Sequence, residues 1–296
     1  MTTKCILFLC EKSELNRERY GYFKAFSKHL EVICISPNNK LDNNAINQIV
    51  SNFDPILIIH PDPPSSLFPK GLVEQKIPTA CFQIDTFSGT KKRIKWSMLF
   101  DYVFVFHPKF DWTFQKSGHP RSVCLTHAVE ADLFDGLELS RIYEVGWVGN
   151  LQGREYDKRR RIIEKLKTNF CMNDVSHFYN SEEMATVYKQ SKIVVNISRD
   201  DYPQDANLRC FEVMASGALL ITQKPTELDQ IGFIEGTHYI AYNKESQIPS
   251  LVKFYLEHEK ERIKISNNGR LLVLSKHTYD HRVKTILDIL SQDNGQ

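Results

Sequence analysis

The sequence has no hydrophobic run long enough for a membrane-spanning helix, which needs about 18 consecutive apolar residues. The apolar run closest to the N-terminus, at 5–10, is followed directly by Glu11 and Lys12. It is too short for the hydrophobic segment of a signal peptide. These absences predict a cytoplasmic chain without a transmembrane segment, in which any contact with a membrane is peripheral.

The cysteine patterns of disulfide-rich and metal-binding proteins are also missing. The seven cysteines are odd in number and widely spaced, include no C-x-x-C pair, and lie mostly in apolar runs. Cysteines in such runs usually act as small buried hydrophobic residues. The pattern therefore excludes a disulfide framework and favours a reducing compartment. The histidines are scattered and form no H-E-x-x-H motif, so we expect no metal site.

A large excess of charge of one sign is absent as well, because the formal net charge is only +2. Such a balance points to no particular polyanionic partner. One cluster, KRRR at 158–161, is basic, but no aromatic side chains are interleaved with it to stack on bases. We interpret this cluster as a solvated helix face and expect no nucleic-acid partner.

What the sequence does contain is an alternation of short apolar runs with helical patterns. The runs typical of strands form two successive series, at 5–10, 32–36, 56–60, 79–84, 102–106 and 122–125, then at 145–148, 193–197 and 218–222. The helical patterns lie at 17–29, 157–167, 206–216, 250–266 and 279–290. Strands separated by helices predict parallel sheets covered on both faces. Two series predict an α/β chain with two Rossmann-like domains, whose sheets face an interdomain cleft that binds the ligand.

The helix predicted at 206–216 carries ionisable side chains between two buried strands. Its narrow polar stripe consists of Asp205, Arg209, Glu212 and Ser216. Buried ionisable groups must be paired or must face a ligand. One interpretation is an internal ion network among these side chains. The other is a ligand site, in which Glu212 accepts hydrogen bonds from ribose hydroxyls and the free N–H groups near Asn207 and Leu208 face a diphosphate.

Arg159 lies in the middle of the apolar stripe of the helix predicted at 157–167. An arginine on the inward face near a helix start can reach into a cleft and hold a diphosphate bidentately. Alternatively, its side chain extends past the helix end into solvent. The preceding loop, GNLQGR at 149–154, has glycines that permit close approach to a phosphate, but it matches neither G-x-G-x-x-G nor the P-loop pattern.

Two further polar side chains follow strands of the first series. Asp85 comes after the run at 79–84, and its carboxylate is either a base or sugar-hydroxyl acceptor, or a loop cap. His127 comes after the run at 122–125, where it either lines the cleft or packs in a hinge.

The segment RCFEVMASGALLIT at 209–222 resembles the donor-site segment of retaining GT-B glycosyltransferases. The likeness is strongest to the glycosyl transferases group 1 domain of spore-maturation-type proteins. Other segments follow in that family's order: VGWVGN at 145–150, Arg159, NSEEM at 180–184, VVNISR at 194–199, and HTY at 277–279 with Arg282. The resemblance covers about 143–290. The first half is similar more loosely, through IPT at 77–79, Asp85 and HAVEADLF at 127–134.

The resemblance implies roles for particular residues. Glu212 is expected to hold the donor ribose, and the loop at 178–180 to contact the base. We expect Asp85, Arg159 and Glu212 to be catalytic; many relatives have a histidine where Asp85 stands, and the case for Asp85 rests on its position after a strand. The expected donor-binding residues are Gly149, Asn150, Arg154, Arg159, Tyr179, Asn180, Arg199, Asp205, Asn207, Leu208, Arg209 and Glu212. Of these, Arg154 and Arg159 are expected to neutralise the diphosphate. The expected acceptor-binding residues are Arg17, Asp85 and His127.

The resemblance also implies a domain organisation and a reaction. The expected parts are an acceptor domain at 1–135, a donor domain at 136–278, and a helix at 279–296 that crosses back to the first domain. We expect a metal-independent glycosyltransferase without a cofactor, which transfers a sugar from a UDP- or GDP-sugar with retention of configuration. The acceptor is a sugar, a glycan, a lipid-linked molecule or another small molecule.

Two departures from the family pattern leave alternatives open. Gln204 stands where many relatives have a second glutamate, and the loop at 11–17 lacks the usual glycines. A nucleotide-sugar epimerase and an inactive sugar-nucleotide-binding protein are the alternatives to a transferase.

Overall fold

The computed structural model describes residues 4–37, 42–61, 71–72, 75–136, 139–199, 206–224 and 227–293. The packing divides the chain into two compact units. The first unit comprises Met1–Thr126 together with Tyr279–Gln296, and the second comprises His127–Thr278.

Ten strands lie in the described residues, and most of them coincide with runs of buried apolar side chains. They are β1 (Cys5–Phe8), β2 (Glu31–Cys34), β3 (Pro55–His60), β4 (Thr79–Gln83), β5 (Tyr102–Val105), β6 (Ser122–Cys124), β7 (Tyr143–Gly146), β8 (Ser191–Asn196), β9 (Leu219–Gln223) and β10 (Ile240–Tyr242). Runs buried on both faces are typical of parallel sheets.

Eleven α-helices accompany these strands in the described part of the chain. They are α1 (Arg17–Ser27), α2 (Asn43–Phe53), α3 (Thr90–Ser97), α4 (Pro108–Lys116), α5 (Asp157–Asn169), α6 (Ser181–Lys189), α7 (Leu208–Ala215), α8 (Glu227–Gln230), α9 (Ile248–Glu257), α10 (Glu259–Lys276) and α11 (Tyr279–Asp293). Local signals set several starts: Asp42 accepts from the Ala45 N–H at the start of α2, and Pro108 is the first residue of α4.

The first unit is built on a six-stranded parallel sheet with the order β2-β1-β3-β4-β5-β6. Alternate strand residues point to opposite faces. On one face, side chains such as Cys81 and Val103 pack with apolar residues of α2, α3 and α4. On the other face, Phe82 packs against Tyr22 of α1, which in turn contacts Tyr279 of α11. The sheet is therefore covered on both sides.

The C-terminal helix α11 is held to the first unit by polar contacts as well. The guanidinium of the buried Arg282 donates to the backbone carbonyl of Thr126 and to its hydroxyl, each at 2.8 Å. Further along the helix, Asp293 contacts the hydroxyl of Tyr102 and the guanidinium of Arg121.

The second unit is built on a four-stranded parallel sheet with the order β10-β9-β8-β7. Helix α7, which joins β8 to β9, is buried along almost its whole length. Its C-terminus is closed by Gly217 at a φ of 73° and by two arginines: Arg270 donates to the Ala215 carbonyl and Arg141 to the Ser216 carbonyl. Cations at this end offset the negative end of the helix dipole.

The structure confirms the predicted α/β class with two parallel sheets and differs from the sequence analysis in detail. The single helix predicted at 250–266 is two helices, α9 and α10, which are separated at His258 by a non-helical ψ of 62°. The short strand β10 had no strong sequence signal. The units divide at Thr126 and His127 rather than at 135, because Val129 and Phe134 are buried in the core around α7.

None of the described helices is both long enough and apolar enough to cross a membrane.

Gly21 provides a test of how α1 packs on α11. A Cβ atom at this position would lie 2.2 Å from the Tyr279 ring. Glycine to alanine in a helix interior normally stabilises by roughly 0.5–1 kcal/mol. We expect Gly21→Ala instead to destabilise the protein by about 1–3 kcal/mol because the site is overpacked. The measurement is urea denaturation.

The matched control for this test is the same substitution in a Tyr279→Ala background, where the ring is gone. There Gly21→Ala should be neutral or stabilising. Equal effects in the two backgrounds would show that the two helices do not pack as described.

Candidate active site

The candidate site lies at the carboxyl edge of the second sheet. In a parallel sheet the loops that follow the strands gather at this one edge, where ligands bind. Here β7 ends at Gly146 and β8 at Asn196. The loop after β8 leads into α7, so the N-terminus of a buried helix belongs to the same edge.

Asn196, the last residue of β8, is fully buried and connects the elements of this edge. Its side-chain oxygen accepts from Asn207 at 3.3 Å and from Arg209 at 3.1 Å. Its side-chain N–H groups donate to Thr222 at 3.0 Å and to the Cys210 sulfur at 3.3 Å. One amide thereby orients the start of α7 relative to β8 and β9.

The backbone of Asn196 is fixed as well. Its carbonyl accepts from the hydroxyl of Tyr242, the last residue of β10, at 3.2 Å. Burial, followed by the charge of Glu245, raises the pKa of Tyr242. The hydroxyl therefore stays protonated at neutral pH and remains a donor.

The N-terminus of α7 lacks the usual side-chain cap. Asparagine at an N-cap normally accepts from an N–H of the first turn. Asn207 makes no such bond, because its side chain is turned towards Asn196. Helix N-termini carry partial positive charge and attract anions. The arrangement therefore leaves the first turn of α7 without the acceptor that this residue type usually supplies.

Arg209 adds a full positive charge to the same helix start. One of its terminal nitrogens donates to Asn196, while its buried Nε–H has no hydrogen-bond partner among the described residues. A Cβ atom added to Gly149 would lie 2.6 Å from the other terminal nitrogen of Arg209. A side chain at position 149 would displace the guanidinium, which explains the glycine.

The two alternatives for the polar stripe of α7 can now be compared. Glu212 is 6% exposed and lies one turn after Leu208, which is 8% exposed. Among the described residues Arg209 forms no ion pair, so an Arg209–Glu212 bridge is not part of this structure. Asp205 and Gln204 lie outside the described residues.

Arg159 is buried and bonded to backbone carbonyls. Its Nε and one terminal nitrogen donate to the Ile197 carbonyl at 3.1 and 2.8 Å, and the other donates to the Asn150 carbonyl at 3.0 Å. It therefore joins the loop after β7 to the residue after β8. Extension of the side chain into solvent does not describe this geometry, and the predicted contact with a diphosphate stays a prediction.

Aromatic rings lie close to the arginines at this edge. The guanidinium carbon of Arg159 lies 4.6 Å from the ring centre of Tyr156, and that of Arg199 lies 5.8 Å from the same ring. The buried ring of Trp147 lies 5.9 Å from Arg159 and 5.8 Å from Arg209. A guanidinium within about 6 Å of a ring centre is attracted by the ring, so these contacts help to position the arginines.

The loop before α6 contains the residues predicted to contact the base. Asn180 caps α6 in a reciprocal pair with Glu183, and Tyr179 donates from its hydroxyl to the Asp174 carbonyl at 2.7 Å. The buried Asn173 bonds both backbone groups of Trp147 at 2.9 Å and so ties this loop to the end of β7. Between these anchored residues, the Phe178 side chain is 90% exposed.

The remaining predicted residues are placed as follows. Arg154 is exposed in the loop before α5, and the Asn150 side chain accepts from the Gln152 N–H at 2.8 Å. In the first unit, Arg17 and Asp85 are exposed at the carboxyl ends of β1 and β4, with Arg17 at a left-handed φ of 41°. His127 is buried in the second unit, 6.3 Å from the Phe211 ring centre.

Sequence reasoning missed four residues that organise the site: Trp147, Tyr156, Asn173 and Asn196. For Asn196 a signal was present, because it is a polar residue at the end of an apolar strand. The other three depend on contacts between loops that are distant in sequence. Among the described residues, no group of three or more His, Cys, Asp or Glu side chains is arranged to hold a metal ion.

Comparison with solved structures defines the class of the fold. HepE of Anabaena, solved in complex with UDP and glucose, matches with a TM-score of 0.69 at 11% identity over 98% of this chain and 100% of its own. Sucrose-phosphate synthase of Thermosynechococcus elongatus matches with a TM-score of 0.68 at 12% identity over 99% of each chain. A glycosyltransferase of Rickettsia africae gives 0.66 at 11% identity over 99% of each. At these identities the likeness shows the fold, which is GT-B.

The family follows from the sequence itself. The family model described as glycosyl transferase-like matches residues 137–288, which is about half of the chain. This range includes the candidate-site residues of the second unit, from Trp147 to Tyr242. The chain belongs to this family, and family and fold together support a glycosyltransferase. Comparison with curated protein sequences returns no match.

The geometry of Arg159 generates a prediction. Arg159→Ala would leave the carbonyls of Ile197 and Asn150 without their donors. We expect this substitution to lower the free energy of unfolding by about 2–4 kcal/mol, measured by urea denaturation. Arg161→Ala is the matched control, because that side chain is 72% exposed, and its effect should stay within about 0.5 kcal/mol. Similar stabilities of the two variants would contradict a loop-joining role.

Proposed function

We propose that the chain transfers a sugar from a nucleoside-diphosphate sugar, with UDP as the favoured nucleotide, and that the second unit holds the donor. The observation that carries this proposal is the start of α7. There Asn207 does not cap the helix and Arg209 is held beside it by Asn196. An uncapped helix start with an adjacent guanidinium suits a diphosphate.

The nucleotide is proposed by analogy with the matched structures. HepE is described in complexes with UDP and glucose, with UDP, and with UDP-glucose. The same carboxyl edge of a GT-B sheet is available in this chain. We propose that Glu212 accepts from the ribose hydroxyls and that the loop at 178–180 contacts the base.

The chemical step requires charge stabilisation on the leaving group. The bond between the sugar C1 and the diphosphate oxygen breaks, and negative charge grows on the phosphate oxygens. The positive helix end and Arg209 would stabilise that charge, with Arg159 holding the surrounding loops in place. The acceptor oxygen forms the new bond to C1 on the same face, and its proton passes to the leaving diphosphate, which gives retention without a metal ion.

The acceptor side stays a prediction. We propose that Arg17 and Asp85, at the carboxyl ends of strands in the first unit, take part in acceptor binding. His127 is buried against the core of the second unit, which supports a packing role for its ring.

The donor site is tested by nucleotide binding. Arg209→Ala removes a charged donor next to the helix start, and we expect the affinity for UDP to fall at least about tenfold. Glu212→Gln should weaken binding of UDP more than binding of pyrophosphate, because the proposed contact is to ribose. Lys167→Ala, an exposed change on α5, is the control and should bind like the wild type. The measurement is isothermal titration calorimetry with UDP, GDP and ADP.

Turnover separates transfer from the alternatives. Release of UDP from UDP-glucose only in the presence of an acceptor supports the transferase. UDP binding that depends on Arg209 without turnover on any acceptor would indicate an inactive sugar-nucleotide-binding protein. Interconversion of the sugar without release of UDP would indicate an epimerase. Unchanged UDP binding in Arg209→Ala would refute the site.

A further inference from the structure

One helical layer of the first unit has a composition that the donor site does not explain. Helices α3 and α4 cover the same face of the six-stranded sheet, since Ile94 and Trp96 pack in one apolar cluster with Phe110 and Phe114. The opposite surfaces of these two helices face away from that cluster. These outer surfaces are unusual in their charge and in their exposed apolar side chains.

The outer surfaces carry positive charge, and neither helix contributes an exposed acid to offset it. The exposed lysines are Lys91, Lys92 and Lys95 of α3 and Lys109 and Lys116 of α4. Within the described residues none of these five ammonium groups has an ion pair. The one acid in the two helices, Asp111, is buried and accepts from Ser122 and Gln115. The whole chain carries only +2, so this charge is local.

Large apolar side chains are exposed among these lysines. Met98 and Leu99, which continue α3, are 42% and 41% exposed, and Trp112 of α4 is 62% exposed. At about 100° per residue, Met98, Leu99 and the three α3 lysines fall within one sector of roughly 120°. The Lys116 ammonium lies 4.7 Å from the Trp112 ring. We call these eight side chains (Lys91, Lys92, Lys95, Met98, Leu99, Lys109, Trp112 and Lys116) the basic face.

We propose that the basic face docks on an anionic lipid surface. Lysines attract anionic headgroups, and each contributes independently to surface binding. Methionine, leucine and tryptophan on the same side can enter the region between headgroups and acyl chains. Charge complementarity thus selects anionic lipids. The aliphatic side chains of Met98 and Leu99 favour a bilayer, because they can enter its interface but cannot stack on the bases of a single-stranded nucleic acid. The proposal does not depend on the donor site.

The experiment is co-sedimentation of the full chain with vesicles. One set is phosphatidylcholine alone and the other is phosphatidylcholine mixed with phosphatidylglycerol. We expect binding to the anionic vesicles only, and its loss at about 1 M salt, where the screening length is about 3 Å. The triple variant Lys91→Glu, Lys92→Glu, Lys95→Glu should weaken partitioning at least about 100-fold.

A charge-matched control lies in the second unit. The triple variant Lys165→Glu, Lys167→Glu, Lys264→Glu changes the net charge equally at exposed positions and should bind like the wild type. Thermal denaturation confirms that both variants fold. Equal loss of binding in the two variants would overturn the proposal, because binding would then depend on total charge alone.

A second readout tests the apolar contacts. Trp112 emission should shift to shorter wavelength on anionic vesicles, and Trp112→Phe should remove this shift. An unchanged emission spectrum, binding equal on neutral vesicles, or no vesicle binding would each overturn the proposal. Preferential binding to duplex RNA over anionic vesicles would likewise overturn it, in favour of nucleic acid.

Discussion

The arrangement of the candidate site depends on one buried amide, that of Asn196. A fully buried amide must have its donors and acceptors satisfied, and here the partners come from different elements. Its side-chain oxygen accepts hydrogen bonds from Asn207 and Arg209 at the start of α7, and its side-chain nitrogen donates to Thr222 of β9. The side-chain nitrogen of Asn207 makes this bond, and its side chain does not cap α7. The same interaction that organises this edge therefore also positions the first residues of α7.

The cations of this edge have different tasks. Arg159 is committed to the carbonyls of Ile197 and Asn150, which makes it part of the scaffold. Arg209 has only one described hydrogen-bond acceptor and keeps a buried N–H without one. Both guanidiniums lie near the ring of Trp147, and Arg159 also lies near that of Tyr156. The attraction between a guanidinium and an aromatic ring helps to hold these cations in place.

Much of the site was accessible from sequence because its residues cluster after strands and on one helix. The polar stripe of α7 and the inward position of Arg159 follow from helical periodicity. Periodicity cannot show which acceptor a buried arginine donates to. Arg159 donates to carbonyls of two loops, and Arg209 donates to the side chain of Asn196. Likewise, the side chain of Asn173 forms hydrogen bonds with both the backbone N–H and the carbonyl of Trp147, although the two residues are distant in sequence.

By itself the sequence determined the α/β class, the two parallel sheets and the helix that carries the site, because alternating buried strands and amphipathic helices leave few other ways to bury apolar area. The tertiary structure alone decided which groups the buried polar side chains of this edge bond to. Hydrogen-bond partners at this edge come from segments that are brought together only when the parallel strands pair in the sheet. The division of the units at Thr126 likewise follows from packing, since Val129 and Phe134 are buried in the core around α7.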